Sequence, residues 1–372
     1  MGSHDKLVES LLDLAVQIQQ VPAPTLGEGK RAQLVEELFQ GEGLADIQID
    51  PAGNVVARLP GEAGVGKAKT SLLVSAHLDT VFPDGTELKA QREAGRITAP
   101  GIGDNSLGVA GLFGLVWRLR ERGASLAGDV WLAANVGEEG LGNLRGMREL
   151  VERFGDSPRL YLVLEGMALG HIYHRGIGVR RYRITAKTEG GHSWTDYGKP
   201  SAIHELAGLV GQLAHIALPE QPKTTLNVGR IWGGTSVNTL AAEAGLELDL
   251  RSEKATTLNE LVQRVDGLVR AANKTGVRIE ADLIGERPAG SISGDDPLVR
   301  LAEDCLREAG FDPGLTGGST DANLPLSRGY PALVLGLTTG GGAHTVHEYI
   351  DTEPLARGLE SVVEFVCRVM GN

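Results

Sequence analysis

The runs Leu72–Ala76, Gly128–Val136 and Leu160–Leu164 constrain this chain most, because each is dominated by apolar residues without strict alternation and each leads straight into a ligand-type side chain. A strand that buries both faces has this composition, which predicts interior positions in a mostly parallel α/β sheet. The first run ends at His77, with Asp79 two residues on; the second runs into Gly137-Glu138-Glu139-Gly140; the third meets Glu165-Gly166. In an open α/β sheet the ligand crevice lies outside the carboxyl ends of the strands, so these side chains are expected to converge there. Taken alone, His77-x-Asp79 fits a satisfied structural histidine as well as a ligand whose ring is fixed by a neighbouring carboxylate.

The remaining elements surround this pattern. Helices are expected over Asp5–Gln20 and Gly29–Phe39, and a hairpin over Gly43–Leu59. Pro100-Gly-Ile-Gly-Asp104-Asn-Ser-Leu-Gly108 precedes a helix over Val109–Arg120, which puts Asp104 at a helix start, where an N-cap role competes with a ligand role. If Asp104, Glu138, Glu139 and Glu165 share a crevice with a neutral His77, cations are required, because uncompensated carboxylates repel and protonate.

From about Gly178 to Gly285 the pattern changes to strand Val179–Thr188, helix Ser201–Ile216, strands Thr224–Trp232 and Glu243–Arg251, helix Thr257–Ala272 and strand Val277–Leu283. That β-α-β-β-α-β order is ferredoxin-like. It is read as an inserted α+β domain over 178–285, splitting a catalytic domain into 1–177 and 286–372. Afterwards come a helix over Pro297–Ala309, a glycine-rich turn over Gly317–Ala322, strand Pro331–Leu337, the segment Ala343-His344-Thr-Val-His347-Glu348-Tyr349 and a last helix from Pro354.

Composition removes several alternatives. A net charge of -12 disfavours nucleic acid or an anionic membrane as partner. With only Cys305 and Cys367, neither a disulfide framework nor a thiolate metal site is expected, so a metal must take imidazole and carboxylate. Met1-Gly-Ser-His4 reads as an expression-tag remnant, and no apolar run has the length of a signal peptide or membrane span; the cytoplasm is the expected location.

His77-Leu-Asp79, Gly103-Asp104-Asn105, Gly137-Glu138-Glu139-Gly140, Glu165-Gly166, Gly191-His192-Ser193 and His344-Thr-Val-His-Glu348 resemble, in order and spacing, the di-zinc exopeptidase and deacylase family, which includes peptidase T, glutamate carboxypeptidase, aminoacylase and succinyl-diaminopimelate desuccinylase. The resemblance covers nearly the whole chain. It implies a parallel-sheet catalytic domain with the insertion as a lid and dimerisation domain.

It also implies roles. His77, Asp104, Glu139, Glu165 and His344 would hold two zinc ions, with Co2+ or Mn2+ as possible substitutes; Asp104 would bridge, and Asp79 would orient His77. Zinc takes imidazole at ~2.0–2.1 Å and carboxylate at ~2.0–2.2 Å, which suits this donor set. Glu138 would be the general base for water attacking an amide carbonyl. His344 is chosen over His347 because the family's ligand histidine lies four residues before a glutamate, here Glu348.

The substrate implied is a small peptide or N-acyl amino acid, with Asn238, Arg251 and Ser319 as substrate-binding candidates. For Arg251 a bidentate grip on a carboxylate competes with a surface ion pair. His192 matches a residue that, in dimeric relatives, reaches into the partner's active site, which implies a homodimer. Ser106, Glu165 and His347 depart from the commoner family residues at their positions, which blurs the substrate assignment. His171, His174, His204 and His215 are expected to be surface or packing residues. An exopeptidase is the leading expectation, a deacylase the alternative, and a noncatalytic binding protein the remote one.

Overall fold

The computed structural model describes residues 3–62 and 71–371; Met1 and Gly2, at the start of the expected tag remnant, lie outside them. The chain divides into two compact units, Met1–Gly176 with Ser291–Asn372, and Ile177–Gly290.

In the first unit the central sheet runs in the order Ala45–Ile49, Val55–Leu59, Val130–Asn135, Ser71–His77, Pro158–Glu165, Ala332–Gly336, His171–Gly176. The four consecutive central strands, from Val130–Asn135 to Ala332–Gly336, are parallel to one another. Their interiors are almost wholly buried, as their unbroken apolar composition requires. Register then decides where the polar ends fall. His77 lies opposite Asn135, and Glu165 opposite Gly336, so the strands finish at one edge and their loops start together.

One face of the sheet packs against helices Ser3–Gln19, Leu107–Glu121, Pro297–Glu308 and Leu355–Met370 through an apolar core that includes Leu11, Ile18, Phe39, Phe113, Val362 and Phe365. Phe39 and Phe113 stack with centroids 4.9 Å apart. Leu107–Glu121 is buried nearly all round, the expected state of a helix with apolar residues on every face. The opposite sheet face is covered by Arg145–Phe154 and by Leu324 and Leu326.

Two elements differ from the sequence expectation. His171–Gly176 forms a strand, and Gly317 and Gly318, expected in a turn, close a strand over Gly314–Gly318 that runs parallel to it. The physical reason is a close approach: a Cβ on Gly318 would stand 2.8 Å from the Tyr173 ring, so glycine here serves strand packing. His174, as expected, is a packing residue, buried with Nδ1 2.8 Å from the Ile292 carbonyl oxygen.

The second unit is a four-stranded antiparallel sheet in the order Thr224–Gly233, Glu243–Ser252, Gly178–Lys187, Arg278–Arg287. Numbered along the chain this is 2-3-1-4, the ferredoxin-like arrangement. Leu246, Leu248 and Leu250 alternate into a core shared with Leu206 and Leu213 of helix Ala202–Ala214 and Leu258 and Val265 of helix Ala255–Ala272. Among the described residues no helix is long and apolar enough to cross a membrane.

Candidate metal centre

Strand ends and the loops beyond them bring five of the expected residues together. His77 closes its strand, and its Nε2 lies 3.0 Å from Asp104 Oδ1 and 3.8 Å from Glu165 Oε2. His344, beyond the Ala332–Gly336 strand, places Nε2 3.2 Å from Asp104 Oδ2 and 3.2 Å from Glu139 Oε1. Asp104 therefore turns one oxygen toward each imidazole. Donors arranged tetrahedrally at about 2.1 Å from one ion stand about 3.4 Å apart, so both half-sites suit a cation of zinc's size, with Asp104 common to the two. His77, Asp104 and Glu139 by themselves offer ligand atoms that all lie within 4.8 Å of one another.

The electrostatics ask for positive charge. The Asp104 and Glu139 carboxylates push the His344 ring up to about 10. Burial disfavours a charged His77, yet Asp104, Asp79 and Glu165 hold it well above the usual histidine value. Burial likewise opposes ionisation of Asp104, but His344 and His77 hold its carboxyl below the usual range. Glu165 is pushed up to about 7 by burial, with Asp104 and Asp321 adding to the shift and His77 opposing it. Divalent cations meet the same demand.

Asp79 does more than stand beside the His77 ring. Its carboxylate is not the nearest acceptor for the His77 ring: Nδ1 lies 3.0 Å from the Asp79 carbonyl oxygen and 3.6 Å from Oδ1. The carboxylate instead accepts the Glu138 amide at 2.9 Å, the Glu139 amide at 2.9 Å and the Thr25 hydroxyl at 3.0 Å. It is fully buried. It holds the tandem glutamates by their backbone, because the Gly137 turn aims both amides back at the loop after His77. Glu138 and Glu139 are themselves both buried.

Asp104 is held from two sides that local sequence does not reveal. Glu348, buried, accepts the amides of Gly103 and Asp104 at 2.8 Å each and of Gly101 at 3.2 Å. Asn105 donates to the Leu164 carbonyl at 2.8 Å and accepts the Gly166 amide at 3.0 Å, which pins the Asp104 turn to the end of the Glu165 strand. Gly166 permits this approach, since a Cβ there would stand 2.3 Å from the Gly103 carbonyl oxygen. Beneath the strand ends, buried Asn135 donates to buried Asp321 at 2.7 Å. Thr25, Asn135, Asp321 and the clamping role of Glu348 escaped the sequence reading. Only Glu348 and Asn105 had a local signal, as motif neighbours of expected ligands.

The other candidates are placed as follows. Ser319 is partly buried at the end of the Gly314–Gly318 strand, in the first unit. His347 is exposed. His192, Asn238 and Arg251 belong to the second unit. There His192 pairs with Thr239, and the Ser193 amide donates to the Asn238 carbonyl at 3.0 Å, so His192 and Asn238 are neighbours. The His192 ring accepts the Trp194 amide at Nδ1, 3.2 Å, which leaves Nε2 as its donor. Arg251 pairs with Asp249 at 2.7 Å, the ion pair that competed with substrate binding in the sequence reading.

Comparison with known proteins places the chain in a family. The model of Peptidase family M20/M25/M40 matches residues 73–368. The chain is 26% identical to a succinyl-diaminopimelate desuccinylase of Gluconacetobacter diazotrophicus, covering 97% of this chain and 97% of that protein. Its fold is similar to that of aminopeptidase PepT from Bacillus cereus, with a TM-score of 0.80, 24% identity, and coverage of 97% of this chain and 98% of the other. It is also similar to YxeP of Bacillus subtilis, a dinuclear metal binding peptidase, with a TM-score of 0.70, 17% identity, and coverage of 98% and 99% respectively.

Proposed function

This chain belongs to Peptidase family M20/M25/M40 and is a hydrolase of peptide or amide bonds, and on that premise we propose that it is a zinc-dependent exopeptidase acting on small peptides at a two-metal centre. The observation that carries this reading is Asp104, which offers Oδ1 to the His77 side and Oδ2 to the His344 side. His77 and Glu165 would hold one ion, His344 and Glu139 the other, and Asp104 both. Such ions supply Lewis-acid polarisation of the carbonyl and an acidified water.

The chain's own groups do the rest. Asp79 and the Gly137 turn fix Glu138 beside ligand Glu139, where its carboxylate takes the proton of the attacking water and returns it to the leaving nitrogen. Glu348 and Asn105 hold the backbone of the turn that carries the bridging carboxylate. Deacylation of an N-acyl amino acid is the second reading, favoured by the likeness to a desuccinylase along nearly the whole chain. The deciding experiment measures metal content and then hydrolysis of free, N-blocked and C-blocked dipeptides and N-acetyl amino acids. Hydrolysis of free peptides with N-acetyl amino acids untouched supports the exopeptidase; the reverse supports the deacylase; no bound metal in an active enzyme refutes both.

The proposal extends to a homodimer paired through the second unit, with His192 and Asn238 completing the oxyanion hole of the partner. Two features support it: Thr224–Gly233 is an edge strand with an open side, and Trp194, Tyr197 and Val237 stand exposed near His192 and Asn238. His192→Ala then lowers kcat by ~10²–10³-fold at unchanged metal content. Mixed with Glu138→Ala protein and allowed to exchange subunits, it regains part of the activity; an active monomer, or no recovery despite proven exchange, defeats the in-trans arrangement.

A further inference from the structure

Large apolar side chains exposed on the first unit are few, and their placement is uneven. Among its described residues they are Leu26, Ile49, Val81, Leu141, Leu315 and Val346. Four of these six stand on the loops of the metal centre. Val81 follows Asp79 by two residues, Leu141 follows Glu139 by two, Val346 follows His344 by two, and Leu26 adjoins Thr25, whose hydroxyl donates to Asp79.

These loops are tied together. Pro24 and Thr80 form a bridge, and the Thr80 amide donates to the Ala23 carbonyl at 2.9 Å, joining the Leu26 and Val81 segments. Glu28 accepts the Leu26 amide at 3.0 Å through one oxygen and pairs through the other with Arg145 at 2.7 Å, at the far end of the Leu141 loop. Leu26 is 67% exposed and sits at φ 73°, a backbone region costly for a branched side chain. Water contact and conformation both disfavour a leucine there, so folding gives no reason for it.

Charge tells the same story. Segments 22–27, 140–144 and 340–346 contain no Asp, Glu, Lys or Arg, in a chain that is 23% charged. The Val81 loop differs, carrying Asp84, Glu87 and Lys89, so a substrate group lying over the Leu26, Leu141 and Val346 segments meets aliphatic side chains and no charged ones within them. Resting on the hydrolase reading above, we infer that the group flanking the scissile amide at this centre is apolar, a leucyl- or phenylalanyl-type side chain or acyl group, and that Leu26 and Leu141 are specificity-determining residues. Succinyl, aspartyl, glutamyl and lysyl groups are disfavoured.

The test uses the metal-loaded full chain with Leu-Leu, Gly-Gly, Asp-Asp and Lys-Lys, and with N-acetyl-leucine and N-acetyl-aspartate. Expected is a kcat/KM for the leucyl substrate above the charged ones by about 10–200-fold, the range one apolar contact supplies. Leu26→Asn, which tolerates the positive φ, and Leu141→Ser should bring the leucyl preference down toward that for glycyl by about tenfold at unchanged metal content. Equal or better turnover of charged substrates overturns the inference, as does conversion of a dimer to a monomer by these variants with the preference intact, which would make the patch a subunit contact. Calorimetric binding of leucine hydroxamate against aspartate hydroxamate separates the two readings. Tighter leucine binding without turnover of any amide sustains the apolar site and sinks the hydrolase assignment, whereas equal binding with turnover does the opposite.

Discussion

Asp79→Asn is the substitution that most directly probes how the tandem glutamates are held. The parent carboxylate accepts two amides at 2.9 Å and one hydroxyl at 3.0 Å while fully buried. An asparagine of nearly the same shape must turn its NH2 toward one of the two amides, leaving that donor without an acceptor at a cost of ~1–3 kcal/mol. The surviving bonds lose their charge assistance, about 1 kcal/mol each. Fully buried Arg31, pushed down to about 10 by burial, also loses the Asp79 charge that opposes this shift. The expected destabilisation is about 2–5 kcal/mol, read as a lower urea midpoint at unchanged slope. Because the released amide belongs to Glu138 or Glu139, metal affinity measured by calorimetric titration should fall about 10–100-fold, the usual cost of removing support from behind a ligand. If the variant keeps its parent's stability within about 0.5 kcal/mol and binds metal equally well, then Asp79 does not hold the glutamates.

Glu138→Gln is expected to retain metal and lose turnover by at least ~10²-fold; loss of metal here, with retention in Glu139→Gln, would reverse the assignment of the pair. Arg251→Ala should leave amidated substrates nearly unaffected and raise KM for free carboxylates if the guanidinium leaves Asp249 for the substrate, whereas equal small effects on both mark the 2.7 Å ion pair as its whole role. Metal loading should release protons, because with His344 near 10 and Glu165 near 7 the ligands carry protons at neutral pH that the ion must displace. Apparent affinity therefore rises with pH between about 6 and 9, and calorimetry in buffers of different ionisation enthalpy counts the protons; a flat pH profile contradicts the assigned ligands.

Much of this molecule is written locally in its chain. Short apolar runs such as Leu160–Leu164 fit interior strands, and the step from those runs to the alternation of Leu246, Leu248 and Leu250 marks the second unit without reference to any contact. The polar candidates were legible for the same reason, since His77 and Glu165 end strands and Glu138 and Glu139 follow one in sequence. Tertiary structure decided what each polar atom touches. Glu348 holds the turn of Asp104 from 244 residues away, and Asn135 meets Asp321 across 186 residues. Asp79 turned out to grip amides 59 and 60 residues on, and its carboxylate is not the nearest acceptor for the ring two residues away. Gly317 and Gly318 joined a strand where Arg175 and Tyr173 lie close beside them. Periodicity reports which face of an element is apolar and so places a residue on a strand or helix. A hydrogen bond depends on distances of tenths of an ångström between segments far apart in the chain, and only the packed fold sets those.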